Sequence, residues 1–356
     1  MGANFNTPHE MIVMAKRNLD ADNWDYINGG AESETSLRRN RLALDCLAFR
    51  PRVLRDARGI DTGVELLGAK LAMPVVLAPI GGLQNFTKNG GLDVDNAAEK
   101  SGLVNFISTV TEPSMEEIAA NSPHPKVYQI YIRGDDDWLR GFARRIVKAG
   151  YWGVALTVDS AFYGNRERLN PSQVALRRVP ARDYQMGATW DTVKLIQDEI
   201  AGLPLFIKGV MTAEDAALCV EHGAKCVYVS NHGGRQLDHV LGTIEALPEI
   251  MAAVDGKADV VIDGGFTRGT DVLKALAMGA KAVGIGRLQA WALGAGGSEG
   301  LVDCLVQLRQ EIVTAMGLLG VNRVDQLNAS HVAKAMPVRA PHEHSAFPHL
   351  PGGRIL

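Results

Sequence analysis

From residue 73 onward the chain alternates short apolar runs with amphipathic segments. The runs are Val75–Ile80, Val104–Ser108, Val127–Tyr131, Gly153–Val158, Leu205–Lys208, Val227–Ser230, Val260–Asp263 and Ala282–Ile285. Each has the length of a buried strand. Between them lie Gly91–Ser101, Ser114–Asn121, Trp138–Ala149, Trp190–Ala201, Thr212–His222, Thr243–Val254 and Thr270–Met278. These place apolar residues three to four apart, as the buried face of a helix requires. Asp137, Thr189, Thr212 and Thr270 stand where an N-cap or first-turn residue belongs. Eight strand–helix units predict an α/β fold, a (β/α)8 TIM barrel over residues 73–330. Several strands end in polar residues: Ser108, Gln129 and Tyr131, Thr157 and Asp159, Lys208, Ser230, Asp263. One polar strand end is ordinary loop chemistry. Its recurrence on six strands favours a shared pocket, because the C-terminal strand ends of such a barrel build its active site.

The flanks have a different pattern. Residues 1–72 read as helical and then irregular, an N-terminal helical extension packed on the barrel. Residues 164–188 form a long connection after the fourth strand, expected to serve as an active-site lid. The tail, residues 331–356, is rich in proline and histidine and lacks helical period, so it is expected to wrap the surface or a neighbouring subunit. Its histidines (His331, His342, His344, His349) lack metal-ligand spacing and read as solvated, with no metal expected. Apolar residues make up 46% of the 356, enough for a full core. The formal net charge of −3 without a long basic run removes the usual footprint of nucleic-acid binding. Cys46, Cys219, Cys226 and Cys304 are scattered without a Cys-x-x-Cys pair, as in reduced cytoplasmic proteins. Met1–Glu10 has no secretion-signal pattern, and no apolar run approaches a membrane span.

The densest chemistry is Ser230-Asn231-His232-Gly233-Gly234-Arg235-Gln236-Leu237-Asp238, directly after a strand. Histidine is the side chain whose unperturbed pKa lies nearest neutrality. Arginine three residues on offers a planar fork of donors for a carboxylate, and the glycines admit a ligand to the backbone. That set suits proton removal from an anionic substrate. Asp263-Gly264-Gly265-Phe266-Thr267-Arg268-Gly269 follows the seventh strand and opens a helix, and Gly284-Ile285-Gly286-Arg287 ends the eighth. Such glycines can simply make tight turns. Two loops on adjacent strands, with Arg268 and Arg287, favour phosphate binding.

These motifs resemble the FMN-dependent 2-hydroxy acid oxidases and dehydrogenases, the group of glycolate oxidase, lactate oxidase and mandelate dehydrogenase. Asp25-Tyr26, Gly30-Ala31-Glu32, Phe49-Arg50-Pro51-Arg52, Ala78-Pro79, Gln129-Ile130-Tyr131, Thr157-Val158-Asp159, Arg166-Glu167 and Lys208-Gly209-Val210 extend the resemblance from about Trp24 to about His331. It implies an (S)-2-hydroxy acid oxidase or dehydrogenase with FMN as cofactor. His232 would be the base, Asp159 would hold its imidazole and raise its basicity, and Arg166 with Arg235 would clamp the substrate carboxylate. Tyr26 and Tyr131 would complete substrate binding, and Lys208 would stand beside the flavin N1–C2 edge. Pro79, Ile80, Gly81, Ser108, Gln129, Thr157 and Ser230 match flavin-contacting positions. Asp263, Gly264, Gly265, Gly286 and Arg287 match the ribityl and phosphate site, with Arg268 beside them.

Three departures bear on chemistry. Thr267 stands where relatives often carry a phosphate-binding arginine. Val110 replaces a bulky aromatic, and Gly81 replaces an alanine. The last two predict more room near the substrate, hence an aryl or branched acid larger than glycolate. The resemblance leaves the electron acceptor open between O2 and another acceptor, and it implies a homotetramer. The rival readings are another phosphate-binding barrel, like inosine-monophosphate dehydrogenase or FMN-dependent isopentenyl diphosphate isomerase, and a flavin-binding protein without turnover. Cys226 lies in a strand rather than an active-face loop, against the first. His232 kept with both arginines speaks against the others.

Overall fold

The computed structural model describes residues 5–169, 182–350 and 354–355. Residues 170–181, the centre of the expected lid, lie outside the described residues. Three helices come first: α1 (Pro8–Asn18), α2 (Ala21–Asn28) and α3 (Thr35–Asp45). The stretch read as irregular then contains strand β1 (Leu47–Phe49) and a hairpin, β2 (Val64–Leu66) with β3 (Ala69–Leu71). The barrel follows: β4 (Val75–Leu77), β5 (Asn105–Ser108), β6 (Lys126–Ile130), β7 (Gly153–Thr157), β8 (Leu205–Val210), β9 (Cys226–Val229), β10 (Asp259–Ile262) and β11 (Ala282–Ile285). All eight are parallel neighbours in chain order, and β11 returns to β4 to close the ring. At that seam Val75 faces Val283 and Leu77 faces Ile285.

Burial on both faces explains the unbroken apolar runs, since helices cover the outside while side chains fill the inside. Within the barrel Phe106 meets Phe206 and Tyr228 edge to face, with centroids 5.2 and 5.6 Å apart. The outer ring is α4 (Gly91–Ser101), α5 (Met115–Asn121), α6 (Asp136–Ala149), α7 (Arg182–Met186), α8 (Trp190–Glu199), α9 (Ala213–Glu221), α10 (Thr243–Val254), α11 (Gly269–Ala277) and α12 (Arg287–Leu319). Local chemistry starts these helices. Ser114 and Glu117 close a capping box on α5, and Thr212 caps α9 by accepting from Asp215 N–H. The sequence reading leaves α12 unassigned. It is two helical segments meeting at a kink, where Gly296 and Gly297 leave helical backbone angles.

The N-terminal helices are fastened to the barrel's mouth by charge. Arg41 on α3 donates to both oxygens of Asp271, at 2.7 and 2.8 Å, and also to Asp45 at 2.7 Å. Asp271 in turn accepts from the backbone N–H groups of Thr267 and Arg268, at 3.0 Å each. Both partners are buried. Burial opposes charge on Arg41, yet Asp271 raises its pKa, and Arg41 holds Asp271 below the ordinary carboxylate value.

The tail corrects the expectation of solvated histidines. Strand β12 (Val332–Lys334) pairs antiparallel with β1, and His331 just before it is buried. His344 is fully buried between Trp24 and Trp291, with centroids 5.7 and 5.1 Å away. Its Nε2 lies 3.0 Å from Asn28 Oδ1, which also accepts from Trp291 Nε1. Burial lowers its pKa to about 4, so the ring is neutral packing material. His331 and His344 are thus buried and His342 half-buried, while His349 is exposed as expected.

Candidate active site

Strand β8 shifts register between Lys208 and Val210, with Gly209 at φ 112. A Cβ on Gly209 would lie 2.7 Å from both Cβ and Cγ of Asp159. Glycine therefore lets the Asp159 carboxylate sit behind His232, where Oδ1 lies 2.9 Å from Nδ1. An ionised Asp159 requires the proton on Nδ1, which leaves a lone pair on Nε2. Nε2 is 3.5 Å from the Tyr131 hydroxyl. His232 itself adopts φ 56, held by its N–H donating to Ser230 Oγ at 3.1 Å.

The expected pull of Asp159 on His232 is opposed by burial. Asp159 does pull the imidazole pKa up, but burial pushes it down, Lys208 and Arg166 add to that push, and the net direction is down from 6.5. Burial also works against the Asp159 carboxylate, yet His232 and Lys208 outweigh it and hold its pKa below 3.8. His232 is thus neutral near pH 7 and ready to accept a proton. The phenol of Tyr131 is kept protonated by burial.

Two guanidinium groups reach the same cavity. Arg235 donates to Tyr26 O at 2.5 Å and Gly29 O at 2.9 Å, and lies 4.6 Å over the Tyr26 ring. Arg166 is buried and donates to Arg235 O and Gln236 Oε1, at 3.0 and 3.2 Å. No carboxylate among the described residues forms an ion pair with Arg166. A buried guanidinium held by neutral acceptors keeps its charge uncompensated and suits an incoming anion. The Tyr26 hydroxyl is 3.4 Å from Gly81 O, on the same wall.

One cavity, partly open to solvent, joins this end to the glycine loops. Pro79, Ile80 and Gly81 line it after β4; Asp263, Gly264 and Gly265 line it after β10; Gly286 and Arg287 line it after β11. Gly264 and Gly265 turn at φ 108 and 84, packed so closely on α3 that a Cβ on Gly265 would lie 3.1 Å from Asn40. Gly286 is open, with nothing within 4 Å of a Cβ there. The N-terminus of α12 begins at Arg287, so its first N–H groups favour an anion here. Arg287 donates to Ile27 O, Gly233 O and Gly29 O at 2.9–3.0 Å, and forms no ion pair among the described residues. Burial pulls its pKa down to about 10.

These groups fit FMN. The register sets Ser108 beside Gln129 and Thr157 beside Lys208. The buried Gln129 amide nitrogen and oxygen and the Thr157 hydroxyl have no hydrogen-bond partner. Each such buried atom costs about 1–3 kcal/mol. A flavin's alternating N–H and carbonyl edge supplies what they lack, and a phosphate suits Arg287 and the glycine loops. Lys208 Nζ donates to Ser230 Oγ at 2.9 Å, and Ser230 donates to Asp263 Oδ1 at 2.6 Å.

A family model described as FMN-dependent dehydrogenase matches residues 15–186 and 173–334. The chain belongs to this family. It is 37% identical to an L-lactate oxidase of Nostoc sp., covering 90% of this chain and 96% of that one. It is 36% identical to the glycolate oxidase of Spinacia oleracea, covering 91% and 95%. A solved mandelate oxidase with (S)-2-phenylpropionate matches at a TM-score of 0.85 and 35% identity, over 94% of this chain and all of that one. The FMN-dependent 2-hydroxy acid oxidase resemblance, the barrel and the cofactor class therefore stand. No helix among the described residues is long and apolar enough to cross a membrane.

Two expected features differ in this chain. Arg268 does not line the cavity: Glu311 holds its guanidinium at 2.5 Å, and it lies 5.6 Å from the Phe347 ring centroid. Thr267 and Arg41 line the cavity there instead. Nor do Gly81 and Val110 both open space. A Cβ on Gly81 would collide with Val110 Cγ2, so the valine fills the room the glycine leaves. The sequence reading also missed Phe86, Tyr163, His342 and Glu343, all lining the cavity. Glu343 comes from the tail and is paired with Arg354 at 2.8 Å and Arg168 at 3.3 Å, while Arg168 also holds Glu34. No periodicity marks that residue. Phe86 was detectable only as an aromatic just after the Pro79–Gly81 run.

Proposed function

We propose that this cavity oxidises an aryl or branched 2-hydroxy acid, larger than glycolate, to its 2-oxo acid, with O2 or another acceptor completing the cycle. The observation that carries the reading is the His232–Asp159 pair, at 2.9 Å, opening on a cavity that also holds Arg166, Arg235 and Lys208. Arg166 and Arg235 receive the substrate carboxylate, which fixes the 2-carbon near His232. His232 Nε2 takes the proton, and Asp159 stabilises the resulting imidazolium. The Tyr26 and Tyr131 hydroxyls orient the substrate. Bound FMN supplies the two-electron acceptor. Lys208 would supply a fixed positive charge beside the bound ring. At the other end Asp263, Gly264, Gly265, Gly286 and Arg287 hold the ribityl and phosphate groups, while Pro79–Gly81, Ser108, Gln129, Thr157 and Ser230 meet the ring.

The aryl or branched character rests on the aromatic side chains of Tyr26, Phe86 and Tyr163 in the cavity wall. It is also in keeping with mandelate oxidase, solved with (S)-2-phenylpropionate and with benzoyl-formic acid. The four unpaired cysteines fit a cytoplasmic setting.

Following flavin absorbance while adding mandelate, a branched 2-hydroxy acid, lactate and glycolate tests this. Mandelate or the branched acid should bleach the protein at lower concentration than glycolate; a clear preference for glycolate would refute the size assignment, and no bleaching by any acid would refute the reaction. Arg235→Met should raise KM about 30-fold or more, since stranding a carboxylate in a buried site costs about 2–5 kcal/mol. An unchanged KM would remove Arg235 from the clamp.

A further inference from the structure

Strand β9 alternates its side chains, so Tyr228 and Ser230 share a face. Ser230 sits at the strand's end and takes Lys208 and Asp263 as partners. Tyr228 lies one layer deeper, fully buried in the barrel against Phe106. Interior layers of such barrels are filled mainly by bulky apolar side chains. A phenol there carries a hydroxyl that must find a partner or cost about 1–3 kcal/mol. This one makes no well-formed hydrogen bond. It is nevertheless aimed at functional groups. A Cβ on Gly284 would collide with the Tyr228 hydroxyl, and Gly284 lines the cavity together with Asp263 and Lys208. Asp263 Cβ lies 3.3 Å from that same point, so the phenol and the carboxylate's stem flank it, and Asp263 follows burial among the causes that raise the phenol's pKa. The Lys208 ammonium lies 5.2 Å from the Tyr228 ring centroid and 3.4 Å from Asp263 Oδ2.

Asp263 therefore stands between two donors, one charged and one neutral. We propose that Tyr228 is a positioning residue for Lys208: its hydroxyl competes for the Asp263 carboxylate and so sets how much of the ammonium's charge is left for the flavin. The inference rests on Lys208 standing beside the ring, as proposed above. When the phenol donates to Asp263, part of the carboxylate's charge is quenched and Lys208 acts more fully on the cofactor. Without the hydroxyl, Asp263 draws Lys208 closer and the ring loses positive field. The phenyl ring under the ammonium stays in either case.

Tyr228→Phe removes the hydroxyl alone. In the FMN-loaded protein it should shift the two-electron reduction equilibrium about tenfold toward oxidised flavin, a midpoint potential lower by about 30 mV. Sulfite, whose flavin adduct also places negative charge on the ring, should bind about tenfold more weakly. The same substitution on a Lys208→Met background should produce no such shift, because the competition needs the lysine. An unchanged potential in Tyr228→Phe, an equal shift in the absence of Lys208, or loss of FMN binding as the sole effect would each overturn the proposal. Lys208→Met alone should lower the potential more than Tyr228→Phe does. If it leaves the potential unaltered, the placement of Lys208 at the flavin fails as well, separately from the role of Tyr228.

Discussion

His232→Ala is expected to lower kcat by about 10²–10⁴-fold while the protein stays yellow and FMN-loaded. The reason is geometric. Nε2 is the lone-pair nitrogen of an imidazole whose other side is fixed by Asp159 at 2.9 Å, and no other neutral base among the described cavity residues is so placed. Stopped-flow bleaching by substrate measures the effect; rapid bleaching by the variant would show that another group takes the proton. The pH dependence follows from the shift's sign. Burial lowers the His232 pKa, so the neutral, active form persists below pH 6.5 before kcat/KM declines. Asp159→Asn removes the contribution that raises it, so the acid limb should move to still lower pH while the rate falls with the lost support for imidazolium. An acid limb moving upward would contradict this balance.

The second large effect concerns stability. Arg41→Met should cost about 3–5 kcal/mol, because it leaves Asp271 buried, ionised and without its bidentate partner. Asp271 also accepts two backbone N–H groups in the loop after β10, so the damage should reach the phosphate end of the cavity. Denaturant unfolding and the rate of FMN release report the two consequences separately. Wild-type stability and FMN retention in this variant would mean that α3 is held by its apolar face alone.

The barrel was legible in the sequence because strands buried on both faces read as short unbroken apolar runs, and amphipathic helices separate them. Elements outside that rule were not. Strands β1 and β12 are three residues each and pair across the length of the chain, so neither carries a period. Helix α12 hides behind its glycines. At the site, His232 and Arg235 announced themselves by chemistry that packing does not require. Arg268 misled because adjacent residues at a helix start point in different directions: Thr267 faces the cavity while Arg268 turns outward to Glu311. The net pKa of His232 depends on Lys208 and Arg166 as well as Asp159, and no linear motif brings these together. Gly81 and Val110 compensate each other across two loops far apart in sequence.

The ion-paired tail has a bearing on how the molecule is made. Arg287, His342 and Glu343 belong to the cavity wall, yet they follow all eight barrel strands along the chain. A ribosome delivers the Gly264–Gly265 turn first and this portion of the enclosure considerably later. The enclosure is therefore complete only once residue 343 has been added.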